Sequence, residues 1–123
     1  MSRYLNDPAA VAALVRDDEV HRDVYTSQEI YDLEMRHLFR RAWIYLGHES
    51  QVAAPGDYLT VDVAGQPLIL LRHQDGSLQL VHNRCAHKGA KLISQPCGNT
   101  GKYLRCPYHA WSYRTDGSLI GIP

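Results

Sequence analysis

Two short stretches of the sequence each combine one cysteine with one histidine. One residue separates Cys85 from His87, and two residues separate Cys106 from His109. Thiolates and imidazoles together are ligands for zinc or for an iron–sulfur cluster. Each pair is short enough to come from one tight loop, so two loops that face each other would enclose one centre. The spacing therefore predicts a four-ligand metal site.

Two kinds of centre fit this ligand set. A zinc ion would need all four donors around one atom, whereas a two-iron cluster would place both thiolates on one iron and both imidazoles on the other. Zinc modules commonly group a Cys-x2-4-Cys knuckle with a His-x3-5-His pair. Here each stretch supplies one ligand of each kind, which favours the cluster. A structural zinc module remains the less favoured alternative.

The residues around both pairs resemble the Rieske [2Fe–2S] domain of the alpha (large) subunit of ring-hydroxylating, non-haem iron oxygenases. Residues 82–90 (HNRCAHKGA), 106–113 (CPYHAWSY) and 116–119 (DGSL) carry this resemblance. Lys88 stands where the family usually has arginine, and Ala110 where it usually has glycine. Neither stretch holds the extra cysteine that cytochrome-complex Rieske proteins join as a disulfide, which favours the oxygenase or ferredoxin branch.

The resemblance implies one [2Fe–2S] cluster per chain and a set of residues around it. The expected ligands are Cys85, His87, Cys106 and His109. The residues expected to surround these ligands are Lys88, Tyr108 and Trp111, and the two aromatic rings either shield the cluster from water or simply fill the core. The third cysteine, Cys97, has no histidine at matching spacing, so we expect it to be free.

Histidine ligation has a consequence for redox chemistry. With two thiolates and two neutral imidazoles the oxidised cluster is neutral, whereas four thiolates would leave it negatively charged. Rieske potentials accordingly lie at about −150 to +300 mV, against about −400 mV for plant-type ferredoxins. Each ligating ring also keeps a second, outward nitrogen. The outer edges of His87 and His109 are therefore the predicted exit for electrons.

The family further implies an oxidoreductase, a dioxygenase of aromatic hydrocarbon catabolism. Its Rieske domain takes electrons from a reductase or a ferredoxin and passes them to a mononuclear Fe(II) that activates O₂ on an aromatic substrate. In the family, that iron is held by two histidines and a carboxylate in a separate C-terminal catalytic domain, so we expect it only there. No convincing set of this kind occurs in this sequence. Alone, the chain is expected to transfer electrons, and we assign it no catalytic residue.

The family also implies partners for this chain. The electron acceptor would be the catalytic domain of the same or a neighbouring subunit, in a homotrimer or an alpha–beta hexamer. A stand-alone Rieske ferredoxin is the main alternative, but such a protein would begin almost directly with its strands. Here about forty residues precede the first predicted strand, which resembles the oxygenase lead-in.

The elements that must position the two loops are mostly strands. Residues 1–42 are predicted as a helical lead-in, with Asp7 as N-cap before Pro8 and with Thr26 and Glu29 as a capping box. Alternating patterns and turn residues then predict strands at 43–46, 59–63, 67–72, 78–82, 102–105, 111–114 and 119–122. The predicted fold is mainly β: residues 43–123 form a Rieske-type antiparallel β barrel or sandwich, with the two cluster-binding loops at hairpin ends.

The composition limits the remaining possibilities. The 123 residues, 45% of them hydrophobic, suit a small globular domain, and 13 basic residues balance 13 acidic ones. This balance predicts neither nucleic-acid nor membrane binding, and no run reaches the length of a membrane span. The N-terminus does not resemble a signal peptide. Three cysteines, two of them assigned as ligands, fit the cytoplasm, where thiols stay reduced.

Overall fold

The computed structural model describes residues 3–123, which divide into two compact units, residues 3–44 and residues 45–123. The first unit is helical. Its elements are α1 (Pro8–Ala12), α2 (Asp23–Thr26), α3 (Gln28–Glu34) and a π-helical segment (Met35–Phe39) that continues α3. Asp7 caps α1 as predicted, because its carboxylate accepts the N–H of Ala10 at 3.0 Å. Within the described residues, no helix is both long enough and apolar enough to cross a membrane.

The start of α3 differs from the predicted capping box. Thr26 is the last residue of α2, and Ser27 is the N-cap of α3, where its hydroxyl accepts the N–H of Ile30. The carboxylate of Glu29 accepts the N–H groups of residues 3–5, at 2.5–3.0 Å. These partners are 24 or more residues away in sequence.

The second unit consists of two antiparallel sheets. One sheet has the strand order β3-β2-β1-β4 and the other the order β5-β6-β7. The strands are β1 (Asp57–Val63), β2 (Gln66–Arg72), β3 (Leu78–His82), β4 (Cys97–Asn99), β5 (Tyr103–Arg105), β6 (Ser112–Arg114) and β7 (Leu119–Gly121). A 3₁₀ helix (Glu49–Val52) precedes β1. The mainly β prediction is confirmed, and residues 45–123 form two separate sheets without a closed barrel.

Two strand assignments needed tertiary information. Residues 43–46 were predicted as a strand but form none, and the Trp43 side chain is fully exposed. An apolar run without a neighbouring strand to pair with has no ladder to join. Conversely, β4 was missed because its Gly98 and Asn99 are unfavourable in strands. Pairing with β1, where Cys97 lies opposite Leu59, holds β4 in place.

β2 is one of the two inner strands of the four-stranded sheet and supplies two fully buried core residues. Ile69 and Leu71 are fully buried and belong to one hydrophobic cluster with Leu104 of β5 and Tyr113 of β6. Both sheets therefore contribute to a single core, as in a sandwich. Cys85 and Cys106 are members of the same cluster. The loops that carry the cysteines are thus anchored in the core by these side chains.

The first Cys/His loop (residues 85–90) follows β3 and is closed by its own backbone. The N–H of Cys85 donates to the carbonyl of Ala90 at 2.8 Å, and the N–H of Gly89 donates back to the carbonyl of Cys85 at 2.9 Å. Gly89 has a φ of 73°. The reversal of the chain therefore depends on a left-handed residue four positions after the cysteine.

Asn83 holds the approach to this loop against the segment that leaves it. Only 2% of its surface is exposed, and its side chain makes three hydrogen bonds. The amide nitrogen donates to the carbonyl of Ile93 at 2.7 Å, while the amide oxygen accepts the N–H groups of Leu92 and Ile93, both at 2.9 Å. A buried amide that satisfies three backbone groups cannot be removed without leaving them unpaired.

The second Cys/His loop (residues 106–111) repeats this backbone arrangement. The N–H of Cys106 donates to the carbonyl of Trp111 at 2.8 Å, and the N–H of Ala110 donates to the carbonyl of Cys106 at 3.0 Å. Ala110 occupies the position equivalent to Gly89 and has a φ of 59°. The left-handed conformation costs an L-residue with a Cβ roughly 1–2 kcal/mol. The alanine therefore strains the second loop.

This strain predicts that Ala110→Gly stabilises the protein. Glycine relieves the left-handed strain but adds freedom to the unfolded chain, so we expect the free energy of unfolding to rise by about 0.5–1 kcal/mol. Urea unfolding followed by circular dichroism measures this. Gly89→Ala is the reciprocal control and should destabilise, because its Cβ would also lie 3.1 Å from Nε of Arg84. A less stable Ala110→Gly variant would contradict the assigned conformation.

Candidate metal centre

The two Cys/His loops bring their candidate ligands together as two pairs, with the thiols inside and the imidazoles outside. Cys85 and Cys106 are only 2% and 3% exposed. His87 and His109 are exposed, and the centres of their rings are 4.8 Å apart, in an edge arrangement at 63°. The site thus has a buried sulfur pair and a solvent-facing nitrogen pair.

An aromatic side chain holds each of the two histidine rings. Trp111 lies parallel to His87, with ring centres 4.9 Å apart and an angle of 4° between the planes. The ring of Tyr108 is 3.7 Å from that of His109, tilted by 36°. Such contacts restrict the rotation of the imidazoles, which fixes where their nitrogens point. Tyr108 is itself 62% exposed, so it covers His109 without filling the core.

Tyr113 of β6 places a hydroxyl beside the buried thiols. Its oxygen lies 3.1 Å from Sγ of Cys85 and also accepts the N–H of Ala86 at 3.1 Å. Because the N–H of Ala86 occupies an acceptor position, the hydroxyl proton can point at the sulfur. Burial, and secondarily the hydrogen bond to Cys85, raise the pKa of Tyr113. The hydroxyl therefore stays protonated and remains a donor.

The surroundings of Cys85 favour its thiolate. Burial is the largest effect and raises the pKa of this thiol. Hydrogen bonds from the Tyr113 hydroxyl, the N–H of His87, the Cys106 thiol and the N–H of Lys88 act in the opposite direction. Together they outweigh burial, so the pKa of Cys85 lies below its ordinary value. A thiolate is the form that binds a metal.

The surroundings of His109 favour its neutral imidazole. Desolvation lowers the pKa of His109, and the positive charges of His87 and Lys88 lower it further. A neutral ring has the free lone pair that a metal ligand needs. The electrostatics of the loops therefore suit thiolate sulfur at Cys85 and neutral nitrogen at His109.

This donor set fits a two-iron cluster. A [2Fe–2S] cluster with mixed ligands takes only two protein donors on each iron. One buried sulfur pair and one exposed nitrogen pair meet that requirement.

The structure places the predicted surrounding residues next to the candidate ligands. Trp111 and Tyr108 contact the histidine rings. The backbone N–H of Lys88 donates to the thiol of Cys85, and the charge of Lys88 lowers the pKa of His109. Cys97 lies apart from the loops, exposed on β4.

Tyr113 was not singled out from the sequence. The available signal was the charged Arg114 between Tyr113 and Thr115, an alternation that predicts two inward-facing side chains. In the structure Tyr113 and Thr115 are buried and Arg114 is exposed.

Several known proteins are similar in sequence to this chain. Residues 42–123 match the Rieske [2Fe-2S] domain family. The chain is 38% identical to the benzene 1,2-dioxygenase alpha subunit of Pseudomonas putida over 100 residues, which cover 81% of this chain. It is 36% identical to the 2-halobenzoate 1,2-dioxygenase large subunit of Burkholderia cepacia over 125 residues, covering 94% of this chain. The chain spans only about a quarter of the length of these relatives, 22% and 27% respectively.

Solved structures share the fold as well as the sequence. A naphthalene 1,2-dioxygenase from a Rhodococcus species superposes with a TM-score of 0.80 at 35% identity, over 85% of this chain and 23% of that one. A quaternary ammonium Rieske monooxygenase, CntA, superposes with a TM-score of 0.77 at 36% identity, over 82% and 28%. The resemblance seen in the sequence is thus confirmed: the chain belongs to the Rieske [2Fe–2S] domain family, among relatives that are alpha subunits of ring-hydroxylating dioxygenases.

Proposed function

We propose that this chain carries electrons within a ring-hydroxylating oxygenase, with Cys85, His87, Cys106 and His109 as the ligands of its [2Fe–2S] cluster. The observation that supports this most is the pairing of two buried thiols with two exposed imidazoles, where two loops of equivalent backbone meet. When bound, the cluster supplies reversible one-electron transfer.

The residues on the two sides of the candidate centre have different roles in electron transfer. The core around Cys85 and Cys106 excludes water from the sulfur side, and Tyr113 donates a hydrogen bond there. On the other side, Trp111 and Tyr108 hold the imidazoles in place while leaving them exposed. The shortest route for an electron between the centre and a partner therefore crosses the outer edges of the histidine rings.

We assign residues 43–123 to the electron-transfer domain and residues 1–42 to a helical lead-in. The donor would be a reductase or a ferredoxin, and the acceptor a mononuclear iron in a catalytic domain of the same or a neighbouring subunit. The relatives are about four times longer than this chain, which supports a separate catalytic domain. A homotrimer or an alpha–beta hexamer in the cytoplasm is the corresponding assembly.

An aromatic ring is the proposed substrate of the whole enzyme. Relatives at 36–38% identity are named for dioxygenation of benzene, chlorobenzene and 2-halobenzoate. CntA instead carries this domain in a monooxygenase whose substrate is L-carnitine. The same domain thus serves two substrate classes in other proteins, so substrate choice is expected to depend on the catalytic domain.

Substitution of the ligands tests the proposal. Changing His87 or His109 to alanine, or Cys85 or Cys106 to serine, should abolish nearly all bound iron and sulfide, together with the visible absorption of the reconstituted chain. Cluster assembly needs every donor, since a missing ligand leaves an iron open to solvent. Metal and sulfide analysis with a visible spectrum reads out the result.

Two substitutions outside the ligand set serve as matched controls. His82→Ala and Cys97→Ser replace an exposed residue of each type and should retain the cluster. A colourless wild-type protein with one zinc ion per chain would refute the redox function.

The hydrogen bond from Tyr113 predicts a shift in potential. The reduced centre carries more negative charge than the oxidised one, so a donor at Sγ of Cys85 stabilises the reduced state. Tyr113→Phe should therefore lower the reduction potential by several tens of millivolts, since about 59 mV corresponds to a tenfold change in a one-electron equilibrium. Protein-film voltammetry measures it. Tyr108→Phe removes an exposed hydroxyl without a sulfur partner and should leave the potential unchanged; equal shifts in both variants would rule out this role.

A further inference from the structure

A hydrogen bond links the two sheets at the end of the second unit that is remote from the Cys/His loops. Nδ1 of His73 lies 2.6 Å from Oγ1 of Thr115. His73 directly follows β2, at the end where Arg72 pairs with the first residue of β3, and Thr115 directly follows β6. The first loop follows the last residue of β3, and the second loop immediately precedes β6. The bond is therefore not part of the candidate metal centre.

The backbone on both sides of this bond is held by a closed turn. The N–H of His73 donates to the carbonyl of Ser77 at 2.8 Å, which closes the turn between β2 and β3. The N–H of Arg114 donates to the carbonyl of Ser118 at 2.8 Å, which closes the turn that contains Thr115. The side-chain bond thus connects two fixed points, one in each sheet.

The bond also lies in a buried place. Thr115 is fully buried, and His73 is partly buried. A buried hydroxyl without a hydrogen-bond partner would be costly, so the imidazole is an important neighbour for Thr115. The surrounding contacts between the sheets come from apolar side chains such as Ile69 and Leu104, which attract one another without a preferred direction. The directional bond therefore selects one position of β6 against the end of β2.

Tyr113 lies on the same face of the same chain segment as Thr115. The two residues are two positions apart, both are buried, and Arg114 between them is exposed. Residues two apart in a strand point to the same side and are separated by about 7 Å along it. A displacement of Thr115 is thus passed directly to Tyr113.

The pairing of β6 with β7 is irregular at Tyr113. Ser112 lies opposite Gly121, whereas Tyr113 lies opposite Leu119, so Ile120 is an extra residue on β7. An extra residue interrupts the ladder locally and bends the strand. The backbone pairing on this side therefore holds Tyr113 less firmly than a regular ladder would, and an additional anchor on β6 becomes important.

The hydroxyl of Tyr113 reaches from the second sheet to the first loop. Its oxygen lies 3.1 Å from Sγ of Cys85 and 3.1 Å from the backbone nitrogen of Ala86. Hydrogen bonds weaken steeply when their distance or angle departs from the optimum. The strength of the bond to Cys85 therefore depends on how the second sheet is placed relative to the first loop.

We propose that His73 and Thr115 are positioning residues for electron transfer. Their hydrogen bond fixes β6 against the end of β2, and thereby keeps the Tyr113 hydroxyl in hydrogen-bond contact with Sγ of Cys85. A well-placed donor at this sulfur stabilises the reduced centre, so the His73–Thr115 bond raises the reduction potential without touching the cluster. This inference rests on the proposed electron-transfer function and adds two residues that act through Tyr113.

Removal of the Thr115 hydroxyl tests the proposal. Thr115→Val keeps the shape of the side chain but removes the bond to His73, so Tyr113 is released from its position. We expect the reduction potential of the reconstituted chain to fall by about 28 mV, a threefold change in the one-electron equilibrium at about 59 mV per tenfold. Protein-film voltammetry measures the potential. Thr115→Ser retains the hydroxyl and should keep the wild-type potential. His73→Leu, at a partly buried position, should give the same fall and replaces Thr115→Val if valine prevents folding.

Thr100→Val is the matched control, because it removes a threonine hydroxyl whose bond does not lead to Tyr113. Oγ1 of Thr100 donates to the carbonyl of Tyr103 at 2.8 Å, within the turn before β5. This variant shows what the loss of a hydroxyl hydrogen bond alone does to the potential, and we expect no change. Equal potentials in Thr115→Val and the wild type, or equal shifts in the two valine variants, would overturn the proposal.

A double variant shows whether the effect passes through Tyr113. In a Tyr113→Phe chain the hydroxyl donor is gone, so adding Thr115→Val should cause no further fall in potential. An additive fall would mean that Thr115 acts on the centre by itself, and would contradict the positioning role. A wild-type chain that takes up no cluster would refute the electron-transfer function and this inference with it. A wild-type chain whose cluster forms but whose potential ignores Thr115→Val would refute only the positioning role.

Discussion

The burial of Cys85 and Cys106 in the hydrophobic core is the constraint on which the rest of the structure depends. An isolated thiolate in such a place would be strongly disfavoured, because charge is expensive to remove from water. Tyr113 and the backbone N–H groups of the first loop supply the hydrogen bonds that offset this penalty at Cys85. Iron bound to both sulfurs would offset the rest of the cost of burying the thiolates. Placing sulfur inside leaves only the imidazoles to face the solvent, so the proposed direction of electron exchange follows from where the cysteines are buried.

The two sheets position the two Cys/His loops. Side chains of β2 fill the core between the two sheets. The second Cys/His loop connects the paired strands β5 and β6, as expected for a hairpin, whereas the first follows β3 at the edge of its sheet and not at a hairpin end, because the next strand, β4, pairs with β1. The loops share one backbone plan, in which a left-handed residue four positions after the cysteine turns the chain back. Glycine meets this requirement without strain in the first loop and alanine meets it with strain in the second. The second loop thus tolerates roughly 1–2 kcal/mol of local strain.

The candidate ligands could be predicted from the sequence more completely than the strands could. Cysteine and histidine spacing identified the four candidate ligands, since metal chemistry restricts the residue types and short loops keep them close. Strong turn signals such as Asp75-Gly76 located most hairpins. Residues 43–46 and β4 were misjudged because strand formation depends on a partner strand that local pattern does not reveal. Asn83 and Tyr113 were missed for a related reason: their importance comes from contacts with residues 9 to 28 positions away.

The central claim is that the two irons have different protein ligands, sulfur on one and nitrogen on the other. Mössbauer spectroscopy of the chain reconstituted with ⁵⁷Fe tests this most directly, because the isomer shift of each iron reports the donors around it. In the oxidised protein we expect two quadrupole doublets of equal area, the one from the nitrogen-bound iron having the larger isomer shift. A single doublet typical of iron bound by sulfur alone would contradict the account.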